Sequence, residues 1–200
     1  YERVIKPNGA IALFSVEPFT SLLVASNPKL FRHDLIWAKP QGSDFLNANR
    51  KPLRAHENIC IFYKAQPTYN PQKSSGKPYK KKSGASTSSN YGRFNGDFHT
   101  ENINGKRYPL SVLDFAWESN KGKKHPTQKP VNVLKRLIEI FTDEGDVIID
   151  PCAGSCSTLR AGLELGRSVY GFEIKKNFVK DAKEKMLPKG LVDSYLDYYN

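Results

Sequence analysis

Asp150-Pro151-Cys152-Ala153-Gly154-Ser155 follows directly on the apolar run Val147-Ile148-Ile149. A β-branched run that ends in Asp-Pro and opens into small residues predicts a buried strand, a tight turn and the start of a helix. Small side chains at such a turn let backbone N–H groups face a ligand at the amino end of the helix. Roughly twenty residues further on comes Ser168-Val169-Tyr170-Gly171-Phe172-Glu173-Ile174, a second apolar run with an acid near its end. A carboxylate in that place accepts hydrogen bonds from two ribose hydroxyls. Strand, small-residue turn, helix, strand and acid is the order in which α/β folds hold a nucleoside-containing cofactor. Each acid also has a plainer role open to it: Asp150 as a cap of the next helix, Glu173 as a solvated strand end.

The elements that must position these residues follow from periodicity and breakers. Val133, Leu134, Leu137, Ile138 and Phe141 recur at helical spacing after Pro130, which predicts a helix from Val131 to Thr142. A second helix is expected from about Ser157 to Leu165, ended by Gly166, and a third over Asn177–Met186. Upstream, Ala10–Ser15 reads as a short buried strand and Pro18–Ala25 as a helix broken by Ser26-Asn27-Pro28. Asp34–Pro40 and Asn58–Lys64 are further strands, and Gln41–Glu57 between them reads as a mobile loop. Tyr1–Gly9 resembles a helix end running into a Pro-Asn-Gly turn. Strand–helix–strand alternation at both ends predicts an α/β fold with a mostly parallel sheet.

Composition narrows the partners. A formal charge of +11 over 200 residues argues for a polyanion, nucleic acid before a membrane surface. No apolar run is long enough to span a bilayer. Cys60, Cys152 and Cys156 form no disulfide framework, so a reducing cytoplasm is the expected compartment. The Cys152-x-x-x-Cys156 pair lacks a second Cys or His pair to complete a zinc site. The charge is concentrated: from Lys64 to Lys124 there are twelve Lys/Arg against four Asp/Glu, a net of +8. Tyr69, Tyr79, Tyr91, Phe94, Phe98 and Tyr108 are interleaved with these bases, a composition of cations for phosphates and rings for stacking. Lys80, Lys81 and Lys82 suit phosphate contacts. Arg93 and Arg107 suit guanine edges, where a planar fork matches O6 and N7, while Asn90, Asn95, Asn102 or Asn104 equally suit adenine. A disordered basic linker is the plainer reading of the same stretch.

The string His125-Pro126-Thr127-Gln128-Lys129-Pro130 leading into a helix, together with Asp150-Pro151-x-x-Gly154-Ser155, resembles the permuted β class of amino-group DNA methyltransferases. That family modifies adenine N6 or cytosine N4. The resemblance covers almost the whole chain. It implies a Rossmann-like, S-adenosylmethionine-dependent methyltransferase fold, permuted and N-terminally incomplete, with an inserted target-recognition region. Residues 1–64 would be the remainder of the catalytic half, 65–124 the DNA-binding insertion, 125–186 the cofactor half and 187–200 a tail. By the same resemblance Asp150, Pro151, Ala153, Gly154 and Ser155 cradle the methionine end of S-adenosylmethionine, and Glu173 takes the ribose hydroxyls. Thr127, Gln128, Lys129 and Pro130 close the methionine pocket; for Lys129 a place on the helix surface is the alternative. Double-stranded DNA is the implied partner, and a homodimer and a cognate restriction endonuclease are open as others. Adenine N6 is the expected target. Cytosine N4, or a non-catalytic DNA-binding role, is the alternative.

Two departures stand out. The family usually carries Phe, Gly and Thr where this chain has Cys152, Cys156 and Ser157. A Cβ at residue 156 either crowds the cofactor or opposes a positive φ. The family's Asp/Asn/Ser-Pro-Pro-aromatic string is also absent from Tyr1 to Asn200; the resemblance places it before Tyr1. Its oxygens accept the amino hydrogens of the extruded base and its ring stacks on that base. Since positioning is a large share of catalysis, residues 1–200 are expected to transfer no methyl group by themselves.

Overall fold

The structure, a computed structural model, describes the backbone of residues 1–83, 86–88, 92–94, 98–116 and 128–187, and the side chains of 1–81, 101–116 and 128–187. His125, Pro126, Thr127 and the tail from residue 188 lie outside the described residues. The chain forms two compact units, Tyr1–Asn70 with Ser111–Asn200, and Pro71–Leu110.

In the larger unit, Tyr1–Gly9 forms turns rather than a regular helix end, with the amides of Val4 and Ile5 both donating to the Tyr1 carbonyl at 3.0 Å. Strand β1 (Ile11–Ser15) and helix α1 (Phe19–Ser26) fall where the apolar runs predict them. β2 (Phe31–Ser43) and β3 (Arg54–Phe62) are longer than hydrophobicity alone indicates. The polar ends of both strands pair with each other, Ala38 opposite His56 and Ser43 opposite Arg54. The expected mobile loop is thereby shortened to residues 44–53, which include a 3₁₀ turn at Phe45–Asn47.

The smaller unit holds β4 (Ser74–Ser75), β5 (Tyr79–Ser83), β6 (Ser86–Ser88), β7 (Gly92–Phe94), β8 (Phe98–Asn102) and β9 (Lys106–Arg107). They form three antiparallel pairs, β4 with β9, β5 with β8 and β6 with β7. The chain then returns to the larger unit as β10 (Val112–Asp114), parallel to β2. Helix α2 (Val131–Phe141), β11 (Val147–Asp150), helix α3 (Ser157–Glu164), β12 (Ser168–Gly171) and helix α4 (Lys176–Lys185) complete it.

The four-stranded sheet has the order β1-β3-β2-β10. Its first two pairings are antiparallel and only the last is parallel, so the expectation of a mostly parallel sheet is corrected here. The cause is loop length: a parallel crossover needs a dozen or more residues, and β2 reaches β3 across residues 44–53 alone. β11 and β12 form a separate parallel pair, with α3 as the crossover between them.

Helix α2 joins these parts. Val133 and Leu137 pack with Leu35, Trp37, Ile59, Ile61 and Leu113 of the four-stranded sheet. Val131, Leu134 and Ile138 pack with Ala161 of α3, against Phe14 of β1 and Ile148 of β11. Residues with 3.6-residue spacing thus fill two adjoining stripes, which is why the helix is apolar over so much of its surface. No helix among the described residues is long and apolar enough to cross a membrane.

α3 lies close on β11 and β12 because Gly162 faces them. A Cβ there would stand 2.5 Å from Val169 Cγ1 and 3.0 Å from Ile148 Cδ1. Gly162→Ala gains about 1 kcal/mol of helix propensity but forces the helix off the strands, at a cost of about 1–3 kcal/mol. The expected net result is a lower urea midpoint; an unchanged or higher midpoint would show that the helix is not held this close.

Candidate cofactor site

The parallel register of β11 and β12 sets Val147 opposite Ser168 and Asp150 opposite Gly171. Both strands therefore end at one edge. The pairing continues beyond them: Phe172 N–H donates to the Asp150 carbonyl and Ala153 N–H to the Phe172 carbonyl, each at 2.9 Å. The turn after β11 is stitched to the segment after β12, and this brings Glu173 to the turn. Its Oε2 accepts the Gly154 N–H at 2.9 Å and its Oε1 the Lys175 N–H at 2.8 Å. Asp150 Oδ1 accepts the Cys152 N–H at 3.1 Å, a capping bond that occupies one oxygen. Ala153, Ser155 and Ser157 are buried, so the small-residue turn is part of the packed structure at the amino end of α3.

Gly154 and Cys156 both have left-handed backbones, with φ of 52° and 61°. The requirement for positive φ that makes a Cβ unwelcome at residue 156 is thus present, and the chain meets it with a non-glycine residue. The thiol goes inward, packing with Leu159, Ala182, Met186 and Leu187. Burial pushes this thiol up to about 11, with the charges of Asp150 and Glu173 adding to the shift. Gly171 is bare for a packing reason, because a Cβ there would meet Leu159 Cδ2 at 2.6 Å.

Gln128, Lys129 and Pro130 lead into α2, with Gln128 buried. Lys129 is neither a plain surface lysine nor alone. Its Nζ lies 2.6 Å from Glu57 Oε2, and Lys39 Nζ lies 2.6 Å from Glu57 Oε1. Lys129 also sits 5.1 Å from the Phe14 ring centroid and Lys39 5.3 Å from that of Trp37. Burial pushes the Glu57 carboxyl upward, but hydrogen bonds and charge from Lys129 and Lys39 outweigh it and hold the group below the usual carboxylate range. Trp37 is fully buried and donates from Nε1 to the Phe115 carbonyl at 3.1 Å, a wall of the core rather than a free stacking surface.

Sequence reasoning missed Glu57. Its contact with Lys129 has no local signal, since the two residues are 72 positions apart.

Within the smaller unit Lys80 pairs with Glu101 at 2.5 Å. Lys81 and Lys82 stand opposite Thr100 and His99 in the β5–β8 register. The Arg107 guanidinium packs 4.6 Å from the Tyr79 ring centroid and donates to the Lys77 carbonyl, so it clips the unit together. The side chains of Lys82 and Arg93, with Asn90 and Asn95, lie outside the described residues.

Two consequences are testable. Cys156→Gly relieves a left-handed Cβ, worth about 1–2 kcal/mol, against the lost thiol packing and the greater chain entropy of glycine, so its stability is expected within about 1 kcal/mol of the parent. Cys156→Val puts a β-branched side chain in the same conformation and is expected to cost about 2 kcal/mol or more; equal urea midpoints for the two variants would contradict the strain reading. Because the folded-state value of Glu57 is depressed, its ion pairs stabilise the protein above the ordinary carboxylate range and are lost as pH falls through the depressed value. Glu57→Gln is expected to cost about 3 kcal/mol at neutral pH, and the gap to the parent should close on acidification. A gap independent of pH would place the effect elsewhere.

A DNA methylase family model matches residues 1–184. The type II methyltransferase M.BglII of Bacillus subtilis is 28% identical over 199 residues, covering 88% of this chain and 51% of that protein. The DNA adenine methyltransferase YhdJ of Escherichia coli (strain K12) is 36% identical over 80 residues, covering 38% of this chain and 27% of that protein. The chain thus spans about half or less of the length of these relatives. Among solved structures, the M1.HpyAVI–SAM complex superposes with a TM-score of 0.65 at 22% identity, over 92% of this chain and 77% of that one. The cytosine-N4-specific PvuII DNA methyltransferase gives 0.63 at 16% identity, over 93% and 66%. The fold is therefore the Rossmann-like α/β methyltransferase fold in its permuted order, and with the family match running from Tyr1 to Glu184 the chain belongs to the amino-group (N6/N4) DNA methylases.

Proposed function

We propose that this chain carries the cofactor-binding and target-recognition parts of an S-adenosylmethionine-dependent methyltransferase that modifies adenine N6 in double-stranded DNA. The observation that carries this reading is the meeting of Glu173 with the Asp150–Ser155 turn at the shared end of β11 and β12. Residues 150–155 cradle the methionine end of the cofactor, Glu173 takes the ribose hydroxyls, and Gln128–Pro130 close the methionine side, with Thr127 next to them in sequence. The bound cofactor supplies an electrophilic methyl on a sulfonium. The protein's part is to hold that methyl still and to keep water from it.

The unit Pro71–Leu110 is the natural DNA contact. It carries eight Lys/Arg against two Asp/Glu, and its exposed tyrosines, Tyr79 and Tyr108, lie beside cations. Lys80, Lys81 and Lys82 are assigned to phosphates and Arg93 to a base edge. Arg107 serves by bracing Tyr79 as much as by any contact of its own. Adenine is favoured over cytosine by the likeness to YhdJ, a DNA adenine methyltransferase, while the PvuII enzyme, with the same fold, keeps cytosine N4 as the alternative.

Calorimetric titration of the 200-residue chain with S-adenosylmethionine tests the reading. Binding is expected, and Glu173→Ala should weaken it about tenfold or more, as for loss of hydrogen bonds to a charged group. No binding by the parent, or equal binding by the variant, would refute it.

A further inference from the structure

Residues 44–53, between β2 and β3, are braced from within. Asp44, in the left-handed region at φ 72°, accepts from Asn47 Nδ2 on Oδ1 at 2.7 Å and pairs through Oδ2 with Lys51 at 2.6 Å. Its carbonyl accepts the Asn47 N–H at 3.0 Å, and the Arg50 N–H reaches the Asn47 carbonyl at 2.8 Å. At the stem, Ser43 Oγ donates to the Arg54 carbonyl at 3.1 Å. Leu53 lies where a Cβ on Gly42 would come within 2.5 Å of it, so the two strands close tightly below the tip.

The brace holds two large apolar side chains out in solvent: Phe45 is 74% exposed and Leu46 84%. Arg50, Lys51 and Arg54 follow them in sequence. A soluble surface ordinarily gives neighbouring apolar residues no reason to stand on a rigid tip among cations. A duplex does give one, because cations hold the phosphates while an apolar group enters between base steps.

The tip also stands at the right edge of the sheet. Lys39 and Lys129, the latter at the start of α2, both bind Glu57 at the base of this hairpin. α2 runs away from that edge, its last residue Phe141 lying beside His33 near the start of β2. β11 follows after residues 142–146 and packs Ile148 against the same helix, so it runs back and Asp150 ends on the hairpin's side.

We propose that Phe45 and Leu46 form a wedge that enters the base stack of duplex DNA next to the nucleotide presented to the cofactor site. Extruding a base leaves a gap in the stack, and a preorganised apolar pair fills it without first ordering a loop. The inference rests on the reading of the protein as a DNA-modifying enzyme.

The test compares the parent chain with the Phe45→Ala/Leu46→Ala variant on a 40-bp duplex carrying 2-aminopurine. Both side chains are exposed, so thermal unfolding and S-adenosylmethionine binding should be the same in both proteins. The parent is expected to raise 2-aminopurine fluorescence, and the variant to leave it unchanged and bind about tenfold more weakly, the scale of one lost base stack. Phe45→Trp should keep the affinity and show quenching of the added indole on the duplex. Equal affinity and equal 2-aminopurine signal for parent and double variant would overturn the wedge while leaving DNA binding intact. No duplex binding by the parent would overturn the wedge and the DNA reading together.

Discussion

Parallel pairing of β11 with β12 places the ends of two strands at one edge, and the geometry of the candidate site follows from that register. Asp150 stands opposite Gly171, so the turn after one strand and the acid after the other have to meet. Backbone bonds from Phe172 and Ala153 carry the pairing past both strand ends. The Glu173 carboxylate then ties the Gly154 amide. α3 can cross this pair closely only because Gly162 and Gly171 carry no side chain. A slip of one residue by either strand would turn that strand over, setting Ile148 or Val169 outward and removing Glu173 from the turn.

Charge organises the neighbouring wall. Glu57 lies between Lys39 and Lys129, a buried acid whose desolvation is offset by two cations. The triplet ties the start of α2 to the β2–β3 hairpin, so the residues assigned to the methionine pocket and the apolar tip at Phe45 and Leu46 share one support. Such a cluster adds little net stability compared with apolar packing, but removing one member is costly. It therefore specifies geometry more than it contributes energy. The left-handed Cys156 has the same character: local strain is held in place by packing against α3 and α4.

Local signals made much of this legible. The β-branched run Val147–Ile149, the small residues after it and the acid at 173 mark the strand–turn–helix–strand segment without any structure, because each is a short-range pattern. Periodicity placed α2 to within one residue at its end. What the sequence did not disclose depends on partners distant along the chain. Arg54–Glu57 is too polar to read as strand, and becomes strand by pairing with the end of β2. Glu57 has no local mark, since its cations lie at 39 and 129. Arg107 has the composition of a base reader, yet its guanidinium is engaged with Tyr79 and Lys77 inside its own unit.

Amide hydrogen exchange of the 200-residue chain, with and without S-adenosylmethionine, addresses the joint role of the turn and Glu173 most directly. If the cofactor lies between them, exchange should slow in peptides covering 150–156 and 172–175, and in those beginning at 128, while the basic unit stays unchanged. Bound cofactor with protection confined to other segments, or no protection at the turn under saturating cofactor, would contradict the placement.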